Sequence, residues 1–382
     1  MQTAKLGTLV RIIGGGTPDR SNPEYWDGDI PWVTVKDVQS SRISSSQESI
    51  TEKGLRNSAS NLIPAGSIIV PTRMALGKVA INQVPIAINQ DLKALTVQQD
   101  SVDRDYLHRF LLSKSSYLES RGKGATVKGI TLDVLTELDV PLPSLPEQHR
   151  LAAILDKADA IRRKRREALK LADEFLRAVF IDLFGDPVTN PKGWPTEKLG
   201  LLGDLQRGKS RHRPRNEPAL YGGAYPFIQT GDVANCDGEV STYSQTYSDF
   251  GLQQSRLWTK GTLCITIAAN IGNTGILGFD TCFPDSVVGF KPWEKVSVEY
   301  IQYWLNGIQG ELDRAASQVA QKNINLEILS ALDTMLPPFS RQHRFSAIVQ
   351  KVRSSKSRYK KATLEAETLF ASLSHRAFQG TL

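Results

Sequence analysis

A passage of this chain is written twice, and that duplication limits the possible folds more than any other feature. Leu142-Pro143-Ser144-Leu145-Pro146-Glu147-Gln148-His149-Arg150 returns as Leu336-Pro337-Pro338-Phe339-Ser340-Arg341-Gln342-His343-Arg344, with His149 and His343 194 positions apart. Lys128-Gly129-Ile130-Thr131-Leu132-Asp133 returns at the same spacing as Lys322-Asn323-Ile324-Asn325-Leu326-Glu327. Towards the N-terminal side of each copy, Lys5-Leu6-Gly7 matches Lys198-Leu199-Gly200, and Pro31-Trp32-Val33 matches Pro226-Phe227-Ile228, with the offset drifting by a residue where loops differ. A period this long is not a solenoid repeat; each copy must be a domain with an appendage. The 382 residues suffice for two such domains, each burying its own core.

Within each copy the pattern divides the same way. Short apolar runs such as Ile68-Ile69-Val70 and Leu263-Cys264-Ile265 are bounded by Gly, Pro and Asn, which predicts strands and turns. Helical patches near Asp105 to Leu118 and Glu299 to Leu312 lie among them, so each domain is of mixed composition and the fold class is α+β. The appendage has almost no Gly or Pro. Its apolar positions advance in alternating steps of three and four: Leu151, Ile154, Ala158, Ile161 and Phe175 in the first copy; Phe345, Ile348, Val352, Tyr359 and Leu369 in the second. That spacing predicts a coiled-coil seam, with the two helices pairing antiparallel as an internal pseudo-two-fold; an ordinary amphipathic helix packed on its own domain is the plainer alternative. The expected organisation is a domain over 1–143, a helix over 144–185, a second domain over 186–337 and a closing helix over 338–382.

The formal net charge is +7, but it is unevenly spread. Nine Lys/Arg face seven Asp/Glu between Glu147 and Asp182, and nine face two between Arg341 and Arg376, which leaves the remainder of the chain slightly acidic. Any nucleic-acid face must therefore be a local patch. The densest is Arg207, Lys209, Arg211, Arg213 and Arg215, which lie within nine residues that contain no acid. Phosphate contacts call for such a loop, although a solvated mobile loop has the same composition. The basic run Arg162-Arg163-Lys164-Arg165-Arg166 reads as a solvated helix face.

Several classes are excluded. No apolar run approaches the ~18 residues of a membrane span, and Met1 to Gly7 leads into a foldable pattern without a signal-peptide core; a cytoplasmic protein without membrane attachment is expected. Cys236, Cys264 and Cys282 form no C-x-x-C pair, so neither a disulfide framework nor a zinc ribbon is expected. There is no Walker A loop, G-x-G-x-x-G, H-E-x-x-H or G-x-S-x-G, hence no catalytic and no metal-ligating residues are nominated. His149 and His343, each at a helix start, read as capping or packing residues.

Gly15-Gly16-Thr17-Pro18, Ser21-Asn22-Pro23-Glu24-Tyr25-Trp26, Gly28-Asp29-Ile30-Pro31-Trp32-Val33 and Lys36-Asp37, followed by Leu142-Pro143 and Pro146-Glu147-Gln148, resemble the specificity subunit of Type I restriction-modification enzymes. The resemblance covers essentially the whole chain. The second copy departs from it, with Gly208-Lys209-Ser210 where Gly-Thr-Pro would stand. The resemblance implies two target-recognition domains that each read half of an asymmetric, bipartite double-stranded DNA site, with the helices setting the gap. It implies a non-catalytic subunit that positions two methyltransferase and two restriction (motor) subunits. S-adenosylmethionine, ATP and Mg²⁺ would then sit on those partners, with no cofactor in this chain. By the same analogy Arg20, Lys36, Arg73, Lys123 and Lys128 in the first half, and Arg207, Lys209, Arg211, Arg213 and Lys322 in the second, are the DNA-contacting candidates, with Arg or Lys reading guanine and Asn or Gln reading adenine. The alternative is a non-catalytic coiled-coil adaptor with two protein-binding heads, which the acidic balance of the domains favours.

Overall fold

The structure, a computed structural model, describes residues 2–124, 127–268, 270–317 and 324–382. The chain forms two compact units, Met1–Arg166 with Lys361–Leu382, and Glu167–Lys360.

In the first unit a five-stranded sheet runs in the spatial order Val10–Gly14, Leu92–Val97, Ile68–Pro71, Ala80–Asn82, Arg42–Ile43. Its centre is Ile68-Ile69-Val70, with no exposed surface, as expected of a β-branched run covered on both faces. A four-stranded sheet follows in the order Glu48–Ile50, Trp26–Val33, Ile86–Ile88, Leu62–Ile63. The helix Arg104–Ser113 is capped by the Asp103 carboxylate, which accepts from the Tyr106 backbone N–H at 2.7 Å, and it presses Leu107, Phe110 and Leu111 into the core. A ribbon of Thr3–Lys5 and Asp139–Pro141 closes the head.

The second unit repeats this topology. Its five-stranded order is Gly203–Arg207, Val287–Pro292, Leu263–Thr266, Thr274–Leu277, Glu239–Val240; its four-stranded order is Gln245–Tyr247, Tyr221–Phe227, Thr281–Cys282, Leu257–Trp258. Both heads bulge at the same place. Between Trp26 and Ile30, and between Tyr221 and Tyr225, the register slips, and a Cβ on Gly28 or Gly223 would come within 2.5 Å of the neighbouring strand's backbone.

The appendages are helices over Leu145–Phe184 and Phe339–Gln379, each followed by a left-handed glycine, Gly185 (φ 84°) and Gly380 (φ 74°). The compact units do not follow the linear order of domain and helix: each takes one end of both helices. Within each unit the helix segments are antiparallel. Arg166 pairs with Glu367 at 2.6 Å and Arg150 donates to the Leu382 carbonyl at 3.1 Å in the first; Phe345 packs on Phe180 and Phe184 in the second.

The expected seam needs correction. Leu151, Ala158 and Phe345 are buried, and Ile154, Ile348 and Val352 are half-buried, but Ile161 (50 % exposed), Phe175 (51 %), Tyr359 (49 %) and Leu369 (56 %) face outward. The buried stripe lies largely one residue away, at Gln148, Ala152, Leu155, Asp159, Leu176 and Phe180, and at Gln342, Ser346, Val349, Lys356 and Thr363. The reason is chemical: the stripe is polar in its middle, and hydropathy periodicity sees only apolar residues.

Those buried polar residues fasten head to helix. Gln148 accepts from the Asp103 backbone N–H and donates to Pro143 and Ser101 carbonyls; Gln342 does the same with Ser297, Pro337 and Lys295. In the first unit Arg109, on the head, is almost fully buried against Asp156 (2.6 Å) and Asp159 (3.1 Å) of the helix. Burial alone would push the Asp159 carboxyl up, but the Arg109 hydrogen bond and the Arg109 and Arg162 charges leave it below the usual carboxylate range. In the second unit the signs are reversed: Asp237, on the head, meets Lys356 (2.7 Å) and Lys360 (2.8 Å) of the helix. Among the described residues, no helix is long and apolar enough to cross a membrane.

Candidate nucleic-acid interface

In the first head the candidate cations fall into two groups of contacts, one about Glu48 and one about Gly129. Gly15 has to be glycine, because a Cβ there would lie 1.9 Å from the Ile88 carbonyl oxygen. This close approach seats Gly16, whose N–H donates to Ile88 and whose carbonyl accepts from the Trp32 indole at 3.0 Å. Thr17 then donates to the Gln90 amide oxygen at 2.6 Å. Arg20 stacks over Trp26, 3.9 Å from the ring centroid, and forms a bidentate pair with Glu48. The Arg20 hydrogen bond holds the Glu48 carboxyl below its ordinary range, and the Lys36 charge adds to the effect. Trp32 is core, 2 % exposed.

Arg73 reaches Asp91 at 3.3 Å on the other side of the Gln90 turn. Gly129 bridges to both Arg73 and Lys123, which brings exposed Lys123 and Lys128 to the same rim. Arg20 and Lys36 thus stand around Glu48, while Arg73 and Lys123 meet at Gly129, next to Lys128.

In the second head the basic loop is folded back on its own strands. Arg207 donates through Nε to the Asp285 carbonyl at 3.0 Å; Arg213 donates to the Ser210 carbonyl at 2.7 Å; and the Lys209 and Arg211 backbones bond Phe283 and Gln254. Arg215, the last cation of the same patch, meets both Asp285 oxygens at 2.9 Å. Lys322 lies outside the described residues. The hydrogen bonds also correct the motif alignment. Lys209 N–H bonds Phe283 as Gly16 N–H bonds Ile88, so Gly208 stands at the place of Gly15, not Gly16; its Cβ would lie 2.3 Å from the Pro284 carbonyl.

Sequence reading overlooked the neutral side chains between the cations. Gln90 beside Thr17, the Gln229–Gln245 pair at 2.9 Å, and Gln206 bonded to Arg256, which itself lies 4.3 Å over Trp258, stand on these loops and the strand ends that carry them. Their signal was the second copy, where each has a counterpart of different chemistry. Among the described residues no cluster of three or more His, Cys, Asp or Glu could hold a metal ion.

Two heads of one topology, each offering loop-borne cations and amides and each clasped to an antiparallel helix pair, define a class of duplicated recognition protein. The family model "Type I restriction modification DNA specificity domain" matches residues 1–171 and again 191–367, and the chain belongs to that family. It is 30% identical over 245 residues to the Type I restriction enzyme MjaIX specificity subunit of Methanocaldococcus jannaschii, covering 59% of this chain and 56% of that one. It is 35% identical over 163 residues to the Escherichia coli EcoR124I/EcoR124II specificity subunit, covering 41% and 40%. These matches span about half the length of the relatives. The fold is similar to the crystal structure of a Type-I restriction-modification system S subunit from M. genitalium, with a TM-score of 0.63 at 15% identity over 99% of this chain and 96% of that one. A second structure, of a type I R-M system, gives 0.56 at 19% identity over 100% and 98%.

Proposed function

We propose that this chain is the DNA-recognition subunit of a Type I restriction-modification complex. Each head reads one half of a split, asymmetric double-stranded DNA site, and the helices between them set the gap. The observation that carries this reading is the match of the same DNA-specificity family to both copies of the repeat. The heads share strand order yet differ in the loops that bear their cations, which is what two halves of an asymmetric target require. A homodimer of one head would read a palindrome, whereas a diverged duplicate need not. In this reading the chain carries no chemistry of its own. Methyltransferase subunits supply S-adenosylmethionine, restriction subunits supply ATP and Mg²⁺, two of each assemble on the chain, and the complex works in the cytoplasm.

The test is to co-express the chain with its neighbouring methyltransferase subunit in a methylation-free host and map N6-methyladenine by single-molecule sequencing. A split motif that is methylated only when this chain is present supports the proposal. No motif from a soluble complex with an active methyltransferase moves the weight to the two-headed protein-binding adaptor, which the acidic balance of the heads favours and which would show no salt-dependent DNA binding.

A further inference from the structure

Arg20 and Arg215 are the same residue in the two heads. Each stands three positions before the proline that opens a short 3₁₀ turn, Pro23–Tyr25 or Pro218–Leu220, and that turn leads directly into the bulged strand. Each guanidinium is held by a carboxylate, but the carboxylates are not equivalent. Arg20 is held by Glu48, which pairs across the sheet with Trp32; the matching position opposite Phe227 is Gln245. Arg215 is held by Asp285, two residues before the strand Val287–Pro292; the matching position, two before Leu92–Val97, is Gln90. Acid and amide have changed places, Glu48 with Gln90 in one head and Asp285 with Gln245 in the other. The displaced amides are themselves held, Gln90 by Thr17 and Gln245 by Gln229.

The exchange gives the same arginine a different carboxylate partner in each head, on a different strand's approach to the loop cluster. Glu48 takes Nη1 and Nη2 of Arg20, and Asp285 takes Nη2 of Arg215. In both cases Nε–H and further donors of the five-donor fork are left, and about half of each side chain is exposed. Two neighbouring acceptors on a rigid plane, guanine O6 and N7, are what a buttressed guanidinium recognises best in a major groove. A carboxylate that fixes the fork improves discrimination by removing alternative rotamers.

We propose that Arg20 and Arg215 are the guanine-reading residues of their heads, and that the Glu48/Gln90 and Gln245/Asp285 exchange sets which position of each half-site carries the guanine. This rests on the reading of the heads as DNA-recognition domains.

The experiment uses the full chain with its methyltransferase partner, mapping the methylated motif and measuring competition between matched and single-mismatch duplexes. Arg20→Ala should relax one guanine of one half-site by about 5- to 150-fold and leave the other half unchanged; Arg215→Ala should do the reverse. Glu48→Gln, which keeps the arginine and removes an exposed pair of little structural weight, should weaken the same guanine preference. The paired change Glu48→Gln with Gln90→Asp gives the first head the arrangement of the second and should move its guanine to another position. A motif unchanged in all four variants overturns the inference while leaving DNA recognition intact. An affinity loss equal on all sequences also overturns it, since that marks a phosphate contact. Failure of the parent chain to direct any motif would instead remove the recognition reading itself.

Discussion

His108 is buried to 4 % exposure, its Nε2 facing the Val79 carbonyl at 3.3 Å. Burial, reinforced by the neighbouring Arg109 charge, pushes its pKa down to about 4. An unfolded histidine titrates near 6.5, so between roughly pH 6.5 and 4 the unfolded chain binds a proton that the folded chain refuses, and stability falls as pH falls through that window. At pH 5 the first unit should lose about 2 kcal/mol relative to pH 7, read by urea unfolding followed by hydrogen exchange, and His108→Leu should flatten that slope. The sequence showed some residues of this kind and hid others. Arg20 was visible as a cation in a motif, but Glu48 was not, because an ion pair between residues far apart in sequence leaves no local pattern. Gln148 and Gln342 were visible in the repeat, but their role was not: the capping and packing reading fell on His149 and His343, while the fully buried glutamine does the fastening.

At the scale of elements, the strand segments and the long helices were legible because they depend on local signals: β-branched runs, Gly and Pro stops, and the repeat; strand order, set by pairings distant in sequence, was not. The buried face of the long helices was not, since Asp159, Lys356 and Thr363 lie on it and no hydropathy period selects them. Substitution separates the two stripes. Leu155→Ala or Phe180→Ala should cost about 2–5 kcal/mol in thermal or denaturant unfolding, whereas Phe175→Glu and Leu369→Glu should stay within ~0.5 kcal/mol. Arg109→Met leaves Asp156 and the buried Asp159 without their head-side cation and should cost about 3–5 kcal/mol, more than removal of any exposed pair such as Lys170–Glu174. Asp159, held below the usual carboxylate range, contributes stability above pH ~4, and that contribution is lost as pH falls through its lowered pKa. Asp159→Asn should accordingly remove part of the acid-unfolding slope below pH 4.

For the whole molecule, the recognition reading predicts DNA binding that weakens steeply with salt, in proportion to the phosphates neutralised, and a fluorescence anisotropy titration from ~50 to ~200 mM salt would show it. The first unit is discontinuous: its head packs on Ala377 and on Phe378, which touches Tyr106 and Phe110 at 5.5 Å between ring centroids. Deleting Lys361–Leu382 should therefore speed hydrogen exchange in the first head, whose Tyr106 and Phe110 are far from Phe378 in sequence, and spare the second. The same discontinuity reverses the order of birth on the ribosome. The second unit is complete once residue 360 has emerged, while the first, although synthesised earliest, waits for the final turns of helix before it can close.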